Sequence, residues 1–388
     1  MEISACVKYV GVNDHQVDLF EGQYKVPNGM SYNSYVILDD KITVMDTVDG
    51  FFTEEWMNNV EQVLDGKMPD YLVIQHMEPD HSASIPAFLK KYPKATVVST
   101  AKGFQFMEQF FPEFFAGQGL PAEQRIVAAN DGVLELGQHS LHFVYAPMVH
   151  WPEVMMTYEA TEKILFAADG FGKFGALDAE EEWADEARRY YIGIVGKYGP
   201  QVQAVLKKAA GLDIQTLCSL HGPVLKENLG FYLEKYDKWS SYQPEESGVV
   251  IAYASVYGNT RNAAEYLADV LQEKGQKTVL YDLARCDKAK AVADAFRYDR
   301  LVLAGITYNG DLFPCMRSFI EGLTERNYQN RKVAIIENGT WAPMAGKLIL
   351  GMFEKSKNLT FTETTVSIKS AMNEQNKGEI EKLAEELC

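Results

Sequence analysis

At 388 residues the chain exceeds one ordinary domain, and with 47% apolar and 23% charged residues it can bury more than one core. Its 37 basic against 54 acidic residues leave a formal charge of −17, which argues against nucleic acid and anionic membranes as main partners, because both select for basic patches. The five cysteines (Cys6, Cys218, Cys286, Cys315 and Cys388) are odd in number and never spaced C-x-x-C, which excludes a disulfide framework and an embedded four-cysteine iron site.

The opening MEISACVKYVGVNDHQ has no apolar core of a secretory signal, and no apolar run reaches the length of a membrane span, so a cytoplasmic protein is expected. Short strands are predicted at Tyr35–Leu38, Ile42–Asp46, Leu72–Gln75, Thr96–Ser99, Leu141–Ala146, Ile164–Ala168 and Thr216–Ser219, with helical segments near 52–65, 84–92 and 179–210. The strand ending at Gln75 leads into His76-Met77-Glu78-Pro79-Asp80-His81-Ser82, and Ser84 with Pro86 opens a helix. If that stretch is extended, His76, Glu78 and Asp80 point to one side, with His81 following at the turn. Two imidazoles and two carboxylates in six residues suit iron or manganese better than a structural zinc, which favours thiolate and imidazole.

Three further donors lie just past strand ends, where loops converge. His150 sits in Pro147-Met148-Val149-His150-Trp151-Pro152-Glu153, Asp169 follows Ile164–Ala168, and His221 follows Thr216–Leu220. His139 and His142, on an expected surface hairpin, and His15, among polar residues, are read as non-ligands. Gly170-Phe171-Gly172-Lys173-Phe174-Gly175 matches G-x-G-x-x-G, but the next strand comes some forty residues later, too far for a dinucleotide-binding βαβ unit.

The stretch Ser240–Gly248 combines turn formers with charge and divides the chain into domains at 1–246 and 247–388. After it, strands near 249–254, 277–283, 299–306, 331–337 and 360–367 alternate with helices near 260–274, 287–297, 314–325, 343–355 and 375–387. Five β-α units in so short a span predict a doubly wound, five-stranded parallel sheet. The first strand runs into Ser255-Val256-Tyr257-Gly258-Asn259-Thr260 and then a helix, a turn whose backbone N–H groups can wrap a phosphate. No Walker lysine is present, which argues against a nucleoside triphosphate. Thr307-Tyr308-Asn309-Gly310 and Asn338-Gly339-Thr340-Trp341 fall at the carboxyl ends of the third and fourth strands, near the switch point of such a sheet. Tyr308 and Trp341 fit either a ring-stacking role or the core. Cys315, just beyond the first of these loops, is read as a buried, inert thiol.

The series H-x-E-x-D-H, then H-W-P, then Asp, then His resembles the ligand series of the metallo-β-lactamase fold in its flavodiiron variant, which is fused to a flavodoxin-like domain. The resemblance covers both domains in order. It implies an N-terminal αββα sandwich and a C-terminal flavodoxin-like domain. It also implies two irons per chain, one held by His76, Glu78 and His150, the other by Asp80, His81 and His221, with Asp169 bridging. These seven are the catalytic candidates, although the family sometimes leaves the position of His81 uncoordinated. The Ser255–Thr260 loop resembles the flavodoxin phosphate loop, which holds FMN, with the two later loops flanking the flavin ring. The implied activity is reduction of O2 to water, or of NO to N2O, with electrons from rubredoxin or another small donor. The implied assembly is a head-to-tail homodimer or a tetramer. A zinc-dependent hydrolase of the same fold and a flavodoxin-like electron carrier with an inert first domain are the rival readings. Glu78 in place of an imidazole opposes the first and the full ligand set opposes the second.

Overall fold

The computed structural model describes residues 3–117 and 120–388. The chain divides into two compact units: the first runs to Tyr190 and takes in Pro200–Tyr236, and the second comprises Tyr191–Gly199 and Asp237–Cys388.

The first unit contains two sheets. The six-stranded one runs in the order Val7–Tyr9, Tyr35–Ile37, Thr43–Met45, Tyr71–Val73, Thr96–Ser99, Arg125–Val127. The five-stranded one runs Val133–Glu135, Ser140–Tyr145, Met155–Glu159, Ile164–Phe166, Thr216–Cys218. Period-2 alternation sends Tyr35 and Ile37 from the first sheet, and Leu141 and Phe143 from the second, into one shared core with Met45, Val73, Met155 and Phe166. Each such side chain, fully withdrawn from water, contributes about 1.5–3 kcal/mol. Helices Thr53–Leu64, Ile85–Lys91 and Ala101–Phe110 belong to the same unit, the last capped by the Thr100 hydroxyl, which accepts from the amide of Gly103.

Several elements escape the sequence reading. The strands Val7–Tyr9, Val12–Asp14 and Met30–Tyr32 are three residues each, too short for periodicity to register. Met155–Glu159 is buried at every position and does not alternate. The single helical stretch expected over 179–210 is instead broken: Trp183–Tyr190, a π turn at Tyr191–Val195, a 3-10 turn at Gly196–Tyr198, then Gly199–Ala209. Gly196, Gly199 and Pro200 account for the interruption, since glycine is a poor helix former and proline supplies no N–H.

The second unit follows expectation closely. Its parallel strands are Glu246–Tyr253, Thr278–Asp282, Tyr298–Tyr308, Arg331–Asn338 and Leu359–Ile368, in spatial order 2-1-3-4-5, with a two-residue antiparallel strand, Asp311–Leu312, added at the end of the third. Helix Asn259–Glu273 buries Ala263, Ala264, Leu267, Ala268 and Leu271 against Val249, Ile251, Val302 and Ile336, and helix Glu374–Leu387 adds Ile380, Leu383 and Leu387 to the same face. That order puts the switch point between the first and third strands, at whose carboxyl ends a ligand cleft is expected.

Arg331 fixes the near end of this sheet. It is 3% exposed, and its guanidinium donates to the carbonyls of Tyr298 (2.7 Å), Tyr242 (2.7 Å), Gln329 (3.0 Å) and Phe296. The Tyr242 hydroxyl in turn donates to the carbonyl of Gly196 at 3.0 Å. Residues ahead of the first strand are therefore structural parts of this unit. A fragment beginning at residue 237 is expected to be more stable than one beginning at 249 by about 2–4 kcal/mol, the worth of a few hydrogen bonds to a buried charge. Urea unfolding of the two fragments measures this, and coincident midpoints would contradict it.

Candidate functional site

The structure brings all seven predicted donors together. His76 and Glu78 follow the strand Tyr71–Val73, and Asp80 and His81 lie on the one-turn helix Pro79–Ser82 that Pro79 opens. His150, Asp169 and His221 come from loops at the ends of strands of the other sheet. They form two clusters, His76, Glu78, His150 and Asp169 in one and Asp80, His81 and His221 in the other, with the donor atoms of each within 4.8 Å of one another.

Asp169 reaches both clusters. One carboxylate oxygen, Oδ2, lies 3.1 Å from His150 Nε2 and 3.6 Å from His76 Nε2. The other, Oδ1, lies 3.3 Å from His81 Nε2 and 3.9 Å from His221 Nε2. Its loop needs unusual backbone, with Ala168 at φ +47° and Phe171 at φ +67°, conformations held only where the surroundings over-determine them. The G-x-G-x-x-G glycines serve this loop: a Cβ on Gly172 would meet the Asp169 carbonyl at 2.9 Å and His221 Cβ at 3.3 Å.

The donor set fits cations. His81 Nε2 and His221 Nε2 face each other at 3.1 Å, and Asp80 Oδ2 is 3.3 Å from each. Both oxygens of Asp80 and Oδ1 of Asp169 are buried without a hydrogen-bond partner among the described residues. Converging lone pairs withdrawn from water are costly unless a positive charge sits among them. With imidazole and carboxylate only and no thiolate, the set suits iron or manganese better than structural zinc.

Outer groups orient the rings. Glu153 Oε1 is 2.8 Å from His76 Nδ1 and accepts from the amide of Met77 at 2.9 Å, and the carbonyl of Ser31 lies 2.8 Å from His221 Nδ1. Each contact ties up Nδ1 and leaves Nε2 for the centre. Burial opposes charge on His150, but Asp169 and Glu78 outweigh it and hold the ring up at about 9. Burial likewise raises Glu78 and Asp169, and the facing histidines outweigh it, so both stay well below the usual carboxylate range. Asp46, wholly buried, is pushed up to about 6 by burial although both its oxygens accept from Gln75. Glu153, Asp46 and Ser31 were not found from the sequence. Glu153 closes the H-W-P-E run, a signal that was available.

In the second unit a cleft of about 580 Å³ opens where the switch point requires. All the predicted loop residues line it except Gly258: Ser255, Val256, Tyr257, Asn259, Thr260, Thr307, Tyr308, Asn309, Gly310, Asn338, Gly339, Thr340 and Trp341. Gly258 instead makes the turn, at φ +91°, as N-cap of helix Asn259–Glu273, whose first-turn N–H groups have no partners within the helix. Ser370, after the fifth strand, was missed; its amide donates to Asn338 Oδ1 and its hydroxyl pairs with that of Thr340, both at 3.0 Å. Tyr308 and Trp341 are not core residues, the latter being 90% exposed, with Tyr257 at 91%. Large rings left bare around an apolar cleft suit a flat aromatic ligand with a phosphate on the helix N-terminus, as FMN has. Cys315 is half-buried, and burial pushes its thiol up.

Two family models match, the ODP family beta lactamase over residues 30–222 and a flavodoxin domain over 250–359. An anaerobic nitric oxide reductase flavorubredoxin from Vibrio vulnificus is 28% identical over 349 residues, covering 86% of this chain and 69% of its own. A rubredoxin oxygen:oxidoreductase from Desulfovibrio gigas shares the fold at a TM-score of 0.91, 24% identity, and 100% and 97% coverage. A flavodiiron protein from Giardia intestinalis matches at a TM-score of 0.91 and 25% identity over 100% of this chain and 96% of that one. The chain belongs to the flavodiiron proteins. As a flavodiiron protein it is an oxidoreductase with FMN and a non-haem diiron centre as its cofactors.

Replacing Glu153 by Leu, which leaves His76 Nδ1 without its acceptor, is expected to weaken iron binding by roughly 10–100-fold. Iron retained after dialysis against a graded chelator series reads this out, and wild-type retention would show that Glu153 does not orient the ring.

Proposed function

We propose that this protein takes electrons from a rubredoxin-like or other small redox donor, passes them through FMN in a domain spanning 247–388, and uses two irons in a domain spanning 1–246 to reduce O2 to water, or NO to N2O. His76, Glu78 and His150 would hold one iron, Asp80, His81 and His221 the other, and Asp169 would be shared between them. What supports this most is Asp169, whose two oxygens face two separate histidine–carboxylate clusters. The relatives divide on substrate, one being a nitric oxide reductase and another an oxygen:oxidoreductase.

When bound, two ferrous ions and one reduced flavin together hold the four electrons that O2 requires. The chain's own residues place these groups. The Ser255–Thr260 loop and the following helix N-terminus would hold the phosphate, and the aromatics at the cleft rim would contact the ring. Glu153 and the Ser31 carbonyl keep Nδ1 protonated on His76 and His221, so that Nε2 offers its lone pair inward.

Protein from iron-replete cells should carry about two irons per chain, the number a bridging carboxylate implies. Asp169→Asn should lose at least half of this, because a neutral amide bridges two cations poorly. Full zinc occupancy with no iron-dependent turnover would sink the reading. Turnover of O2 and of NO with the same donor decides between the substrates.

We propose a head-to-tail homodimer in which flavin and irons meet across subunits, an isologous arrangement that uses one surface twice. A chain carrying Asp169→Asn with His150→Ala is mixed with one carrying Asn259→Ala with Thr260→Ala, each homodimer being inactive. The heterodimer should recover part of the wild-type turnover, and inactive verified heterodimers would rule out the cross-subunit path.

A further inference from the structure

A separate group of metal-binding side chains lies elsewhere in the first unit. Cys6, His139 and Glu162 offer Sγ, an imidazole nitrogen and a carboxylate oxygen within 4.8 Å of one another. Three different segments bring them there. Cys6 immediately precedes the strand Val7–Tyr9, and its carbonyl accepts from the amide of Leu38 at 2.9 Å, which places the next residue, Asp39, at the same corner. His139 ends the turn between strands Val133–Glu135 and Ser140–Tyr145. Glu162 stands in the turn after Met155–Glu159, where the buried carboxylate of Glu159 accepts from the amides of Thr161 (2.8 Å) and Glu162 (2.6 Å).

His139 is not the surface residue its hairpin suggests; it is 4% exposed and held from both sides. Asp39 Oδ2 accepts from its backbone amide at 2.7 Å and lies 2.8 Å from Nδ1, while Glu162 Oε1 lies 3.3 Å from Nε2. Gly137, at φ +134°, permits the approach, because a Cβ there would meet Asp39 Oδ1 at 2.7 Å. A carboxylate behind Nδ1 that turns Nε2 toward other donors is the usual backing of a metal-bound histidine. With the proton on Nδ1, Nε2 and Glu162 face each other as two acceptors and need a cation between them. A proton would satisfy those two alone; the thiol of Cys6 supplies a third donor that a proton does not use. Asp39, Glu159 and Glu162 against Lys8 give the corner an anionic balance that favours a divalent ion.

We propose that Cys6, His139 and Glu162 form a mononuclear site for a borderline-soft divalent cation of the zinc class, with Asp39 as the positioning residue behind the ring. Mixed sulfur, nitrogen and oxygen donors, three in number, match zinc with a fourth position left to water. Glu162 and Cys6 are partly exposed, which gives the ion and that water a way in. Ligation displaces one proton from the thiol of Cys6 and any proton on Nε2. The ion would tie the edge of one sheet to two turns of the other.

The test uses the iron- and flavin-loaded protein titrated with Co2+. The seven candidate iron ligands include no sulfur, so a near-ultraviolet thiolate-to-cobalt band cannot come from them, and its loss in Cys6→Ser assigns it to this corner rather than to Cys218, Cys286, Cys315 or Cys388. One added Co2+ per chain with such a band is expected, with iron unchanged. The band should vanish in Cys6→Ser, and Asp39→Asn should weaken Co2+ binding by roughly 10–100-fold. Absence of the band in wild-type protein, or its survival in Cys6→Ser, overturns the proposal. Should Cys6→Ser fail to fold, alkylation of wild-type protein with and without Cd2+, mapped by mass spectrometry, decides instead. Protection of the Cys6 peptide supports the site, and equal labelling overturns it.

Discussion

The first unit is organised around a burial that would be prohibitive without cations. Four imidazoles and three carboxylates lie at the meeting of two sheets, and none of the seven except Glu78 is more than 8% exposed. Their lone pairs converge, and several carboxylate oxygens have no protein partner among the described residues. Apolar packing behind them, from Tyr35 and Met45 to Phe166, supplies the stability that lets strand ends carry such a load. The positive-φ positions Asp46 and Ala168 belong to the same bargain, since each turns the chain sharply beside the centre.

The seven donors were legible because they fall three to eight residues past the ends of strands, in the loops where periodicity stops and polar residues begin. Their neighbours were harder to see. The Ser31 carbonyl that orients His221 has no side-chain signature, and any residue could supply it. Asp46, paired with Gln75, sits in an unremarkable Met-Asp-Thr run, and only the sheet register brings the two together. The parallel strands of the second unit were read to within a few residues because strands buried on both faces are continuous apolar runs. Ser370, a cleft residue the sequence reading missed, follows an edge strand, Leu359–Ile368, with a largely exposed face.

His139 shows the limit from the other side. Hairpin position alone gave it a surface role, whereas partners 100 and 23 residues away in sequence, Asp39 and Glu162, bury it. Local pattern predicts direction and period, and long-range pairing decides burial.

The segment Tyr191–Gly199 lies within the span of the first unit yet packs with the second. Its carbonyls at Gly193 and Lys197 accept from Arg326 and Asn327, and that of Gly196 from Tyr242. On a ribosome adding about 5–20 residues each second, the stretch would wait roughly 6–25 s for the 128 residues from Pro200 to Asn327. Tyr242 arrives earlier for the carbonyls of Gly196 and Lys197, but Arg326 and Asn327 come only at the end of that interval, so the order of synthesis makes full docking of this segment a late step.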